Sequence, residues 1–145
     1  MHEIDRSVLV NYSAHQIFTL VDRVEDYPKF LPWCGETSVE VRDEHRRRAA
    51  VTIDFKGIRQ RFATDNTREV PTRIDMRLAE GPFRSLDGTW QFLPLGDEAC
   101  KVHFRLRYEF ASRILEKVVG PVFEHITASF VDAFVRRAAD VYGPR

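Results

Sequence analysis

Cysteine is scarce in this chain: Cys34 and Cys100 are the only two in 145 residues, too few and too unpatterned for a disulfide framework of the kind that staples small secreted domains. An excess of charge of either sign is missing as well. Lys plus Arg and Asp plus Glu stand at 22 each, so bulk charge would not draw the chain onto nucleic acid or an anionic membrane, and DNA is not an expected partner. Only a local basic patch could do that. The five histidines, His2, His15, His45, His103 and His125, form no His-x-x-x-His pair, and there is no Cys-x-x-Cys, so neither a metal site nor a required cofactor is expected. A glycine-rich phosphate loop is also absent. The start, Met1-His2-Glu3-Ile4-Asp5, lacks the layout of a signal peptide, and no apolar run approaches the roughly 20 residues that span a bilayer. A cytoplasmic protein is the expectation. With no repeat, linker or low-complexity stretch, residues 1–145 read as a single domain, large enough to bury roughly 68–70% of its unfolded surface.

What the chain does have is a long amphipathic C-terminal stretch. Leu115, Val118, Val119, Val122, Phe123, Ile126, Phe130, Phe134, Ala138 and Val141 recur at helical spacing, while Glu116, Lys117, Glu124, Asp132, Arg136 and Asp140 fill the other side. An internal proline costs one backbone hydrogen bond and clashes one turn back, so Gly120-Pro121 predicts a short helix over 112–119 and a long one that starts at Pro121 and stops at Gly143-Pro144. The long piece would run roughly 31 Å at about 1.5 Å per residue. One ordinary helix cannot cover such a stripe, so it needs a sheet.

The rest of the chain supplies one. Residues 3–11 read as a strand, although Arg6 breaks its alternation. Ser13 with Gln16 three residues later is a capping box for a helix over 14–23, and the segment bracketed by Pro28 and Pro32 permits a very short helix over 26–31. From Val39 the period changes from 3.6 to 2. Alternating segments run through Ala49–Phe55, Ile58–Thr64, Arg73–Leu78, Leu86–Phe92 and Cys100–Phe110, separated by turn signals at 43–45, Lys56-Gly57, 70–72, 80–82 and 95–97. Sequence neighbours should then be antiparallel partners. The expected fold is α+β: a strand, two short helices, six strands and a long helix, with a curved seven-stranded antiparallel sheet wrapped around the C-terminal helix. A convex helix and a concave sheet match poorly at their ends, which predicts a cavity lined by Phe55, Phe62, Met76, Leu78, Trp90, Phe92, Phe104, Val122, Phe123, Ile126 and Phe130. The same side chains could equally fill a solid core.

Several blocks carry a family resemblance. Tyr27-Pro28-Lys29-Phe30-Leu31-Pro32-Trp33-Cys34, Phe55-Lys56-Gly57-Ile58, Gly81-Pro82-Phe83 with Leu86, Gly88, Trp90 and Phe92, Ala99-Cys100-Lys101-Val102, and the terminal Phe123-Glu124, Val131-Asp132-Ala133-Phe134, Arg137-Ala138 and Val141-Tyr142 occur in order over roughly the whole chain. Together they resemble the coenzyme Q-binding START-like family, and within it the bacterial ribosome-association toxin (RatA) branch. The resemblance implies a helix-grip fold with a lipophilic cavity between helix and sheet. It also implies two non-enzymatic roles. The first is binding ubiquinone or another isoprenoid lipid in support of respiration; the second is binding the large ribosomal subunit and hindering its joining to the small one. Asp65 departs from the branch, where a basic residue is commoner.

Read residue by residue, the chain offers three further places for function. Tyr27, Phe30, Leu31 and Trp33, with Gly81, Pro82 and Phe83, could form the cavity entrance or make transient membrane contact; core packing under the loop explains them equally. Parity places Arg59, Arg61, Arg73, Arg77, Lys101, Arg105 and Arg107, with His103, on the outer face of the sheet. Alternate strand positions lie about 6.6–6.8 Å apart, near the phosphate spacing of RNA, while cross-strand ion pairs with Asp54, Asp65, Asp75, Asp87 and Glu109 are the plainer reading. Arg46-Arg47-Arg48 reads as a solubilising hairpin turn that could also supplement this patch. A cyclase-like catalytic role for Glu80 or Cys34 is not expected, because a Gly-Pro turn and a buried thiol account for both.

Overall fold

Six strands in direct succession, each joined to the next by one of the Gly-, Pro- or Asp-containing turns, build most of the sheet. A computed structural model describes residues 1–145. Its elements are β1 (His2–Val10), α1 (Ala14–Asp22), a 3-10 helix (Val24–Lys29), β2 (Cys34–Val41), β3 (Arg46–Phe55), β4 (Ile58–Glu69), β5 (Arg73–Glu80), β6 (Phe83–Pro94), β7 (Cys100–Phe110) and α2 (Arg113–Tyr142). The strands lie in the order β1-β7-β6-β5-β4-β3-β2, and every pair is antiparallel. This is the seven-stranded antiparallel sheet expected from the periodicity, in the helix-grip arrangement that the resemblance implies. The first strand closes on the last, with His2 opposite Tyr108 and Val10 opposite Cys100.

Arg6 finds its explanation in that closure. It shares the inner face of β1 with Ile4, Val8 and Val10, yet its guanidinium reaches α2, donating to the Ala128 carbonyl at 3.1 Å and to Asp132 at 3.2 Å. A second tie joins His2 and Glu116 at 2.7 Å. These contacts fasten the helix along the β1 edge.

At α1 the capping box forms as expected: Gln16 N–H donates to Ser13 Oγ at 3.1 Å, and Ser13 N–H donates to Gln16 Oε1 at 2.9 Å. Replacing Ser13 with alanine orphans a helix N–H and should cost about 1 kcal/mol. A lower urea midpoint with unchanged slope would register it. The second short helix differs from the expected 26–31. It is a 3-10 helix starting at Val24, because Asp26 N–H already bonds the Arg23 carbonyl ahead of Pro28.

The larger correction concerns α2, which runs unbroken through Gly120-Pro121 instead of splitting there. Pro121 leaves the Lys117 carbonyl without its helical donor, but Lys117 and Pro121 both face solvent, where water can bond it. Gly120 has no Cβ to clash with the proline ring, so the helical conformation before proline is tolerated. Val118 and Val141, expected in the apolar stripe, are instead about half exposed (53% and 48%). Val119, Phe123, Ile126, Thr127, Val131, Phe134 and Ala138 form the buried face. Continuity also changes an earlier reading. Although no uninterrupted apolar run is long, α2 has the length to suit a membrane span and contains an 18-residue stretch with a mean hydropathy of 1.3; its apolar face is packed on the sheet.

One cluster of 32 buried apolar residues joins the inner faces of the strands to α1, the 3-10 helix and α2. Gly81, expected at the cavity entrance, has a backbone reason to be glycine. Its φ is +147°, and a Cβ there would sit 2.6 Å from that of Phe62.

Candidate functional site

Two aromatic clusters pin α2 to the sheet. Toward its N-terminal half, Phe123 meets Tyr108 at 4.7 Å and Phe83 at 5.0 Å between ring centroids. Toward its C-terminal half, Trp90 packs against Phe104 at 4.4 Å, Phe134 at 5.5 Å and Phe130 at 5.7 Å. Between them, over the β2–β5 side that α2 does not fill, lies a cavity of about 90 Å³. Small-molecule sites usually enclose about 300–1,000 Å³. The interior is therefore neither solid nor roomy.

Seven of the side chains expected to line the cavity do so: Phe62, Met76, Trp90, Phe104, Phe123, Ile126 and Phe130. Phe55, Leu78, Phe92 and Val122 do not. Phe55 stacks on His125, its ring 5.7 Å away, and Phe92 is fully buried against Phe18 at 5.7 Å, taken up by α1 rather than α2. Of the expected entrance, only Tyr27 and Trp33 reach the cavity. Leu31 and Phe83 are core residues, Pro82 is buried, Gly81 faces solvent, and Phe30 packs beside Phe134 under the Arg137 guanidinium.

The structure adds a polar end that the sequence reading missed. Asp22, Arg47, Thr64 and Asn66 line the cavity together with the apolar walls. Arg47 belongs to β3 and not to a turn, so the Arg46-Arg47-Arg48 run divides by parity: Arg48 points out and Arg47 in. The signal was present, since Arg47 continues the odd-numbered inner series of Ala49, Val51 and Ile53, and Asn66 and Arg68 continue the even-numbered one of Phe62 and Thr64. Arg68 donates to Asp22 at 3.0 Å, and Arg47 stands 3.7 Å from the same oxygen.

Outside, ion pairing absorbs most of the arginines. Arg59 pairs with Asp54 at 3.0 Å, Arg61 with Glu80 at 2.9 Å, Arg73 with Asp75 at 2.9 Å and Arg105 with Glu3 at 3.2 Å. Glu80 is thereby held by an outer-face partner and does not line this cavity. One row crosses the whole sheet as Glu40, Arg48, Asp65, Arg77, Asp87, Arg107 and Glu3, alternating in sign at every strand. Asp65 belongs to this ladder; its bonds to Arg48, at 2.8 and 3.1 Å, hold its carboxyl below the usual range. For Asp75, burial works the other way, but the bonds from Arg73 and Thr89 prevail and lower it. Arg77, Lys101 and Arg107 alone among the seven candidates form no ion pair. The two thiols are buried and pushed up to about 11 by desolvation, which leaves almost no thiolate at neutral pH and suits packing rather than nucleophilic chemistry.

The family described as polyketide cyclase / dehydrase and lipid transport matches residues 10–135. The chain belongs to this family. Within it, the chain is 43% identical over 143 residues to the ribosome association toxin RatA of Vibrio cholerae, covering 99% of both chains. It is 40% identical over 145 residues to the protein of the same name in Escherichia coli, covering all of this chain and 92% of that one. The coenzyme Q-binding protein COQ10 homolog B, mitochondrial, of Xenopus laevis is 23% identical, and the match covers 97% of this chain and 59% of that protein. Among solved structures, an 18 kDa protein from Caulobacter crescentus superposes with a TM-score of 0.75 at 30% identity, over 99% of this chain and all of that one. The Zhui aromatase/cyclase from Streptomyces superposes with a TM-score of 0.79 at 15% identity over 94% and 93%, a likeness of fold. A protein named as an aromatase/cyclase thus shares the scaffold with this chain, and the fold alone does not decide the function.

Proposed function

We propose that this protein is a non-catalytic ribosome-association factor of the RatA kind, which binds the large ribosomal subunit and hinders its joining to the small one. It would act in the cytoplasm and need no cofactor. The observation that carries the reading is the similarity to proteins named ribosome association toxins, at 40–43% identity from end to end. The outer face supports it with three exposed cations, Arg77, Lys101 and Arg107, that form no ion pair, although Asp65, Asp87 and Glu3 stand across from the two arginines. Ribosomes sedimented through sucrose gradients with the purified protein test it. Cosedimentation at low salt is expected, and it should vanish when all three cations are changed to Glu; a triple variant that still travels with the large subunit would refute this surface.

Carriage of ubiquinone or another isoprenoid lipid, with transient membrane contact, is a second reading, favoured by the apolar cavity and the coenzyme Q-binding relative. It ranks lower because about 90 Å³ cannot hold a quinone ring with a prenyl tail unless α2 moves away from the sheet. Mass spectrometry of lipid extracted from protein purified from a respiring host decides it: this reading expects stoichiometric quinone, and its repeated absence would remove it.

A further inference from the structure

Beside the cavity sits a cluster whose charge does not close. Arg47 and Arg68 share one carboxylate, Asp22, through the same oxygen, at 3.7 and 3.0 Å. All three side chains are largely withdrawn from water, with exposures of 25%, 13% and 14% for Arg47, Arg68 and Asp22. Arg68 also donates from Nη1 to the Glu44 carbonyl at 3.3 Å and lays its guanidinium over Phe18. The Nε–H groups of both arginines are buried and bonded to nothing. Two cations against one anion leave one net positive charge in a site poor in water, and such a charge is costly unless paired and hydrogen-bonded.

The partner that would close it must reach Arg47. That residue lines the cavity, and its one ionic contact, at 3.7 Å, is longer than a hydrogen bond, so its donors are not committed. Next to it Thr64 donates to Asn66 Oδ1 at 2.7 Å, which leaves the Asn66 amide N–H groups as further donors on the same wall. Asp22 lines the same end, already engaged by Arg68, and Thr127 adds one hydroxyl; the remainder of the wall is apolar and aromatic. A space with cationic donors at one end and rings at the other matches a molecule with an anionic head and a hydrocarbon body.

We propose that this cavity binds a small amphipathic monocarboxylate, its head held by Arg47 and Asn66 and its body against Trp90 and Phe130. The head is a monoanion because the cluster carries a single uncompensated charge. A neutral head would leave that charge standing, and a dianion would reverse it. A carboxylate also fits the planar fork of a guanidinium. The body is short, since about 90 Å³ lies well below the roughly 300–1,000 Å³ of ordinary small-molecule sites. The inference is independent of ribosome association and concerns a ligand that neither named relative's activity supplies.

Isothermal titration of the full chain with hexanoate, hexanol and hexylamine, followed in parallel by the fluorescence of Trp33 and Trp90, tests it. Hexanoate should bind at least about tenfold more tightly than hexanol, the difference expected for a charged hydrogen bond, and hexylamine should not bind. In Arg47→Gln, hexanoate should fall to the affinity of hexanol while hexanol is unchanged, a control that the cavity still folds. The wild-type comparison stands without any variant. Hexanol binding as tightly as hexanoate, hexanoate binding undiminished by Arg47→Gln, or no binding of any probe would each overturn the proposal.

Discussion

Replacing Trp90 with alanine is expected to destabilise the protein by about 3–5 kcal/mol, a large part of the roughly 5–15 kcal/mol that holds a domain folded. Trp90 is 1% exposed, and its ring meets Phe104, Phe130 and Phe134 where the sheet faces the C-terminal half of α2. Truncation removes those contacts and joins the vacated space to an existing cavity of about 90 Å³. The surroundings are large rings already in contact with one another, so they have little freedom to collapse inward. Thermal unfolding should shift down by roughly 10–20 °C. Val118→Ala, on the half-exposed side of α2, should stay within about 0.5 kcal/mol and serves as the comparison. A Trp90→Ala loss below about 1 kcal/mol would mean that the aromatic cluster does not clamp α2 to the sheet.

Ribosome association should weaken about 20- to 40-fold between about 50 and about 200 mM salt, if Arg77, Lys101 and Arg107 each displace one phosphate counterion. That figure follows from a logarithmic slope of about 0.7–0.9 per contact. The other outer arginines should add little, since each is already bound to a carboxylate and would have to give up that partner first. Changing Arg59 to Glu, beside Asp54 and Glu36, is accordingly expected to leave the slope almost unchanged, whereas the triple reversal of Arg77, Lys101 and Arg107 should abolish association. Sedimentation across a salt series reads both effects. A steep slope that survives the triple reversal would move the contact away from this face.

The ladder from Glu40 to Glu3 sets four carboxylates against three guanidiniums, so this row carries no excess of positive charge. Parity correctly sent its arginines outward, but register put an acid opposite nearly every one. Alternation along one strand says which way a side chain points and nothing of what stands across from it. The four misplaced cavity residues fail for a related reason. Phe92 is on the inner face as its parity requires, yet α1 claims it; Phe55 shares the inner-face series of β3, yet lies at the hairpin tip beside His125. Arg47 and Arg68 show the opposite case: the sequence reading put Arg47 in a solubilising turn and passed over Arg68, yet strand parity carries both inside. The pairing that permits their burial comes from Asp22, 46 residues before Arg68, and no local pattern could announce it.

The sequence by itself determined the order of elements, the strand faces, the capping of α1, the antiparallel sheet and the amphipathic rod that crosses it. These follow from interactions among residues a few positions apart, where the periods of 2 and 3.6 are set. Only the tertiary structure decided that α2 stays whole through Pro121, that the interior keeps about 90 Å³ rather than a roomy pocket, and that two arginines share one aspartate at its edge. Those outcomes depend on how closely distant surfaces fit and on whether a remote partner compensates a charge, quantities that exist only once the chain has closed on itself.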